Sequence, residues 1–177
     1  MATNGSEIVI RPAIREDIPH VVKAYLSSVS EEEAVGFGRP RSRSMFSDAG
    51  RLSAAWRDPN RVRGDEIVVA ELEGRVVGYV TIEDRGGELE LINIDVARSH
   101  QGRGIGTRLV REVETRARRE GKRAVTLGTS RNAAGVPWNS FPGWQSRGYR
   151  VTHEEENAWT RSIGIGVREI RMRKEIL

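Results

Sequence analysis

The segment that most constrains this chain is Gln101-Gly102-Arg103-Gly104-Ile105-Gly106-Thr107, which follows an apolar strand pattern and runs directly into a strongly amphipathic helix pattern. Three glycines at alternate positions let backbone N–H groups turn toward one point without Cβ interference. A helix start adds its unpaired donors and the positive end of its dipole. A phosphate or pyrophosphate suits such a junction, although a plain tight turn would use the same glycines. No Lys follows Gly106, so the segment is not a P-loop. A dinucleotide fingerprint would need another glycine where Thr107 stands, and no βαβ unit leads into it.

The flanking patterns give the frame. Apolar spacing predicts a strand at 7–12 and a helix over 15–29, with Ile18, Val21, Val22, Tyr25, Leu26 and Val29 on one face. From Ser30 to Asp65 the pattern degrades, with a short helical piece expected at Ser47–Trp56 and a solvated basic loop at Arg39–Ser44. Strands at Ile67–Leu72 and Arg75–Ile82 flank the turn Glu73-Gly74, and Glu88–Val96 extends the meander. Helix 104–120 ends at Gly121, and Lys122–Gly128 reads as the next strand. After a loop at 130–141, Ser140 and Pro142 open a short helix to Arg147. Strands alternating with helices over 177 residues predict one α/β (α+β) domain spanning 1–177.

Composition removes several chemistries. The chain has no Cys, which excludes disulfides and a thiol nucleophile, and its three His are far apart, so no metal is expected. Neither a signal peptide pattern nor an apolar run of spanning length is present, and a soluble cytoplasmic protein without membrane contact is expected. The net charge of +4 rests almost wholly on Arg, nearly balanced by acids. Interleaved surface ion pairs explain this bias, and it weighs against nucleic acid as a partner.

Gln101–Gly106 fits Gln/Arg-x-x-Gly-x-Gly/Ala and resembles the acyl-CoA pyrophosphate loop of the GNAT superfamily of N-acetyltransferases. Ile8–Pro19 is similar to the family's first strand and helix entry. Arg147–Val151 resembles the lead into its sixth strand, and Ile170–Lys174 its last strand. The resemblance implies a central mixed, mostly antiparallel sheet of about seven strands flanked by helices. It also implies acetyl-CoA as cofactor, an amine acceptor on a small molecule or a protein, and a homodimer.

Residue by residue, it implies that the backbone of Ile94, Asp95 and Val96 meets pantetheine. Gln101, Gly102, Arg103, Gly104, Ile105, Gly106 and Thr107 would receive the pyrophosphate, the Gln101 and Arg103 side chains assisting, with Asn132 a further cofactor contact. Glu90, eleven residues before Gln101, falls on the family's general base; Glu83 is a second candidate, placed with Tyr79 and Trp144 on the acceptor side. The Val96 N–H would polarise the thioester carbonyl. Trp144 stands where the family commonly has an acidic Tyr, and indole N–H is no acid. Trp138, Phe141 and Trp144 read as core or as pocket walls. Glu154–Glu156, expected in the connection before the last strand, could attract a cation or remain solvated. The missing Tyr keeps a non-catalytic acyl-CoA sensor in view as a rival, and the Arg-rich composition a nucleic-acid binder.

Overall fold

The computed structural model describes residues 7–59 and 66–177. The extreme N-terminus and the end of the degraded stretch, residues 60–65, lie outside them. Seven strands form one sheet, β1 (Ile8–Pro12), β2 (Ile67–Leu72), β3 (Arg75–Asp84), β4 (Glu88–Val96), β5 (Ala124–Arg131), β6 (Arg150–Glu155) and β7 (Arg168–Glu175), hydrogen-bonded in the order β1-β2-β3-β4-β5-β7-β6. Among the described residues six α-helices accompany them: α1 (Ile18–Ser28), α2 (Glu31–Ala34), α3 (Ala49–Arg57), α4 (Ile105–Arg119), α5 (Phe141–Ser146) and α6 (Ala158–Ile163). The residues gather into two compact units.

The first unit holds the described residues up to Val29, those of Ser44–Ile82, and Asn93–Glu112. Here β1, β2 and β3 form an antiparallel ladder. The β2–β3 turn is closed by Glu73 and Gly74, both at positive φ (51° and 74°), the backbone that suits the twist of a two-residue hairpin. The 3.6-residue periodicity of α1 buries Val21, Ala24 and Tyr25 against Leu52 and Ala55 of α3, with Phe46, Ile67, Val69 and Tyr79 completing the core. Pro19 in the first turn suits the start of α1, and a short 3-10 turn at Arg15–Asp17 precedes it, dividing the single helix expected over 15–29. Asp17 fixes that entry, accepting from Arg11 Nη1 (2.7 Å) and from the Ile14 N–H (2.8 Å).

The second unit holds Ser30–Arg43, Glu83–Ile92 and Val113–Leu177. Its β4 residues run parallel to β5 over four pairs, Glu88↔Ala124 to Leu91↔Leu127. β5 pairs with β7 over eight. This long pairing carries β5 to Arg131, three residues beyond the expected strand. At the other end Lys122 is drawn off to Asp84 and the Gly86 carbonyl. Glu154 and Glu155 belong to β6, not to the connection expected there, because Arg131 (2.8 Å) and Arg168 (3.7 Å) neutralise Glu154. Two short helices went unread, α2, which opens on a Ser30/Glu33 capping box, and α6, capped by Asn157. Among the described residues no helix is long and apolar enough to cross a membrane.

Candidate active site

β4 ends at Val96, and a 3-10 turn at Arg98–His100 leads into the glycine segment. The Ala97 N–H donates to the Val77 carbonyl at 2.8 Å, pinning the strand end. Gln101 Nε2 lies 2.9 Å from the carbonyl oxygens of both Ser28 and Val96. Both amide hydrogens are thereby used, so this side chain staples the loop to the end of α1 and is not the direct phosphate ligand expected of it. Gly102 (φ 76°) and Gly104 (φ 78°) occupy the left-handed region, and a Cβ on either would meet no atom within 4 Å. Glycine is required there by backbone conformation, while the space beside it is open.

The first bond of α4 runs from the Arg108 N–H to the Gly104 carbonyl at 3.1 Å. The N–H groups of Ile105 and Gly106 precede it and have no place in the helix ladder. The Ile105 side chain is buried and anchors the helix start, and Arg103, two residues before it in sequence, is exposed. Close seating depends on Gly78 of β3, where a Cβ would lie 3.2 Å from the Asp95 carbonyl oxygen and 3.3 Å from Ile105 Cγ2. Gly106 is different, since a Cβ there meets only Val96 Cγ2, at 3.8 Å. These groups make a cradle of donors at the positive end of a fifteen-residue helix, chemistry that fits a pyrophosphate.

The Asp95 carboxylate takes no part in the cradle. Its oxygens accept from Ser28 Oγ (2.7 Å) and from the Tyr79 hydroxyl (2.8 Å). Tyr79, expected at the acceptor, is fully buried and stacks on Phe46 with ring centroids 5.1 Å apart. A satisfied hydroxyl in a closed core has nothing to offer a substrate, so Tyr79 bears on the site only by holding Asp95.

Glu90 belongs to the second unit, opposite Thr126 on β5, and is 8% exposed. Its Oε2 accepts from Arg85 Nε at 2.8 Å and its Oε1 from Arg171 Nη2 at 2.7 Å. Arg171 continues to Glu169 at 3.0 Å, which Asn157 Nδ2 reaches at 2.6 Å. Burial disfavours the charge on Arg171, yet its bonds to Glu90 and Glu169 hold its pKa above the usual guanidinium value. A Cβ at Gly128 would run into both the Glu169 carboxylate and the Arg171 guanidinium, so glycine admits the pair over the strand. Glu88 pairs with Arg173, and the half-exposed Glu83 with Arg85 at 3.0 Å. Arg85, Glu88, Glu90, Thr126, Arg171 and Arg173 line a pocket of about 430 Å³.

Asn132 and Trp144 lie elsewhere in the second unit. Asn132 Oδ1 accepts from the N–H groups of Ala134 (3.1 Å) and Val136 (2.9 Å), which commits it to its own loop. Trp144 is buried, edge-on to Tyr149 at 5.4 Å with the Arg147 guanidinium 5.6 Å from its ring centre. Burial, reinforced by Glu114, pushes the Tyr149 phenol far above its ordinary range; its hydroxyl donates to Glu114 at 3.1 Å, which Lys174 also reaches at 2.9 Å. Of the two uses open to Trp144, the structure shows the core.

A model of the acetyltransferase (GNAT) family matches residues 26–136, more than half of the chain. The chain belongs to the GNAT family. Solved structures agree in fold. YncA from Salmonella typhimurium, solved with its cofactor acetyl-CoA, superposes with a TM-score of 0.69 at 24% identity, covering 97% of this chain and 95% of that one. An N-acetyltransferase from Staphylococcus aureus gives 0.66 at 19%, covering 97% and 100%. The PaiA N-acetyltransferase from Thermoplasma acidophilum, in complex with coenzyme A, gives 0.66 at 18%, covering 96% and 99%. The glycine cradle described above lies within the matched residues. Sequence reasoning did not find Ser28, Arg85 or Arg171. Arg171 had a signal, since Glu169, Arg171, Arg173 and Glu175 alternate along β7 as Glu88 and Glu90 do on β4, the period-two mark of one charged sheet face.

Proposed function

We propose that this GNAT chain moves an acetyl group from acetyl-CoA directly to an amine, as a single cytoplasmic domain that works as a homodimer. The observation that carries the reading is the cradle, two positive-φ glycines leading into helix N–H groups that have no partner in the α4 ladder. Charge-assisted bonds of this kind contribute about 1.5–3 kcal/mol each, and a few of them support micromolar affinity. The pyrophosphate lies on the N–H groups of Gly102–Thr107 with Arg103 beside it. Pantetheine follows the backbone of Ile94, Asp95 and Val96. Gln101 acts as a positioning residue.

Bound acetyl-CoA supplies an activated thioester carbonyl. The chain's part is to orient it, with the Val96 N–H donating to the carbonyl oxygen where negative charge develops. The attacking amine must be neutral, and Glu90 receives its proton through water, Glu83 being the alternative base. Two guanidiniums fix the Glu90 carboxylate, which retains lone pairs for that water. The new C–N bond forms as the C–S bond breaks. Trp144 is no acid, so the departing thiolate takes, directly or relayed by water, the proton that the newly acylated nitrogen gives up.

Thiol release from acetyl-CoA across an amine panel tests the reading. Turnover supports it, whereas tight acetyl-CoA binding without turnover selects the sensor. Sedimentation at micromolar concentration tests the homodimer, which a monomer would contradict.

A further inference from the structure

We infer that the acceptor is a small amine carrying an anionic oxygen group, a carboxylate or a phosphate, on the same molecule. This rests on the acetyl-transfer reading above. The pocket beside Glu90, at about 430 Å³, has room for one metabolite-sized molecule. Its walls are rich in donors, with the guanidiniums of Arg85, Arg171 and Arg173 facing it together with Thr and His side chains, against the carboxylates of Glu88 and Glu90 alone.

Each guanidinium is anchored by carboxylates without being exhausted. Arg85 gives Nε to Glu90 and Nη2 to Glu83; Arg171 gives one Nη to Glu90 and the other to Glu169; Arg173 divides between Glu88 and Glu175. A guanidinium carries five N–H donors, so more than half of those around the pocket are not consumed by these pairs. The two oxygens of Glu90, by contrast, already accept one guanidinium N–H each. A surplus of pinned, planar donors suits an oxyanion, which Arg meets with two parallel bonds at little ordering cost. A polyamine offers no acceptor to these N–H donors. An amine with an anionic tail matches both halves of the pocket, its tail on the guanidiniums and its ammonium near Glu90.

Matched pairs decide the point: an amino acid against its decarboxylated amine, and phosphoethanolamine against ethanolamine, with spermidine as the polycation, all assayed by thiol release. The anionic member is expected to have at least a tenfold higher kcat/KM in one pair or both, and the pair concerned tells carboxylate from phosphate. Arg85→Gln, at a half-exposed side chain, should cut that preference at least tenfold; Arg173→Gln is the second variant if the first fails to fold by circular dichroism. Equal or faster turnover of the uncharged or polycationic members overturns the proposal, as does an undiminished preference in both variants. Turnover of other amines of the wider panel, with none of any member of these pairs, overturns the acceptor proposal alone. Failure to bind acetyl-CoA overturns the acetyl-transfer reading beneath it.

Discussion

At the scale of single residues, the site divides into groups that touch reactants and groups that hold them. Glu90 is assigned to the first set. Glu90→Gln should lower kcat/KM for the amine by about 10²-fold and flatten the acidic limb of the rate profile, leaving acetyl-CoA affinity unchanged. An unaltered pH profile would move the base to Glu83. Gln101 belongs to the second set, because its amide is consumed by the Ser28 and Val96 carbonyls. Gln101→Ala should therefore weaken acetyl-CoA binding by about tenfold through a loosened loop, a cost of about 1.4 kcal/mol; an unchanged Kd by calorimetry would contradict the staple. Trp144 was legible as core or as pocket wall, since sequence spacing cannot tell a pocket wall from a buried ring. Its contacts with Tyr149 and Arg147 make the forecast one of stability: Trp144→Ala should cost about 3–5 kcal/mol in urea unfolding, and Trp144→Phe much less.

At the scale of elements, the strands and the long helices were legible wherever one face repeats with period 2 or 3.6, as in β2, β3, β4, α1 and α4. What stayed hidden depends on partners distant in sequence. The last residues of β5 extend because β7 lies beside them, and the acidic end of β6 persists because Arg131 and Arg168 are across from it. The loop at Gly102–Gly106 was readable for a local reason, as positive φ and a helix start are written in neighbouring residues. The three Arg–Glu pairs around Glu90 were not, since they join strands more than eighty residues apart in two cases. The entry to α1 gives a pH test. Burial acts to raise the Asp17 pKa, but the Arg11 guanidinium and the Ile14 N–H outweigh it and leave it below the ordinary carboxylate value. The folded pKa lies below the unfolded one, so this stabilisation is present above about pH 4 and is lost as pH falls through the folded value. Asp17→Asn should cost about 1–3 kcal/mol at pH 7, and that difference from the parent should shrink below pH 4 in denaturant titrations. A difference that does not change with pH would contradict the ion pair as its source.

For the molecule as a whole, family membership and the cradle converge on one ligand, and the central claim is that acetyl-CoA phosphates sit on the first turn of α4. Gly106 is the place to test it. Its φ is not positive and a Cβ there makes only an ordinary 3.8 Å contact with Val96, so Gly106→Asp puts bulk and negative charge into the cradle while sparing the fold. Gly104→Asp would confound the two effects, because its φ of 78° strains any side chain. Isothermal titration calorimetry of acetyl-CoA into the parent and into Gly106→Asp, with matched thermal melts, is the most direct measurement. Micromolar binding by the parent that falls at least 100-fold in the variant, at an unchanged Tm, is the expected result; equal affinity in the two proteins would contradict the account.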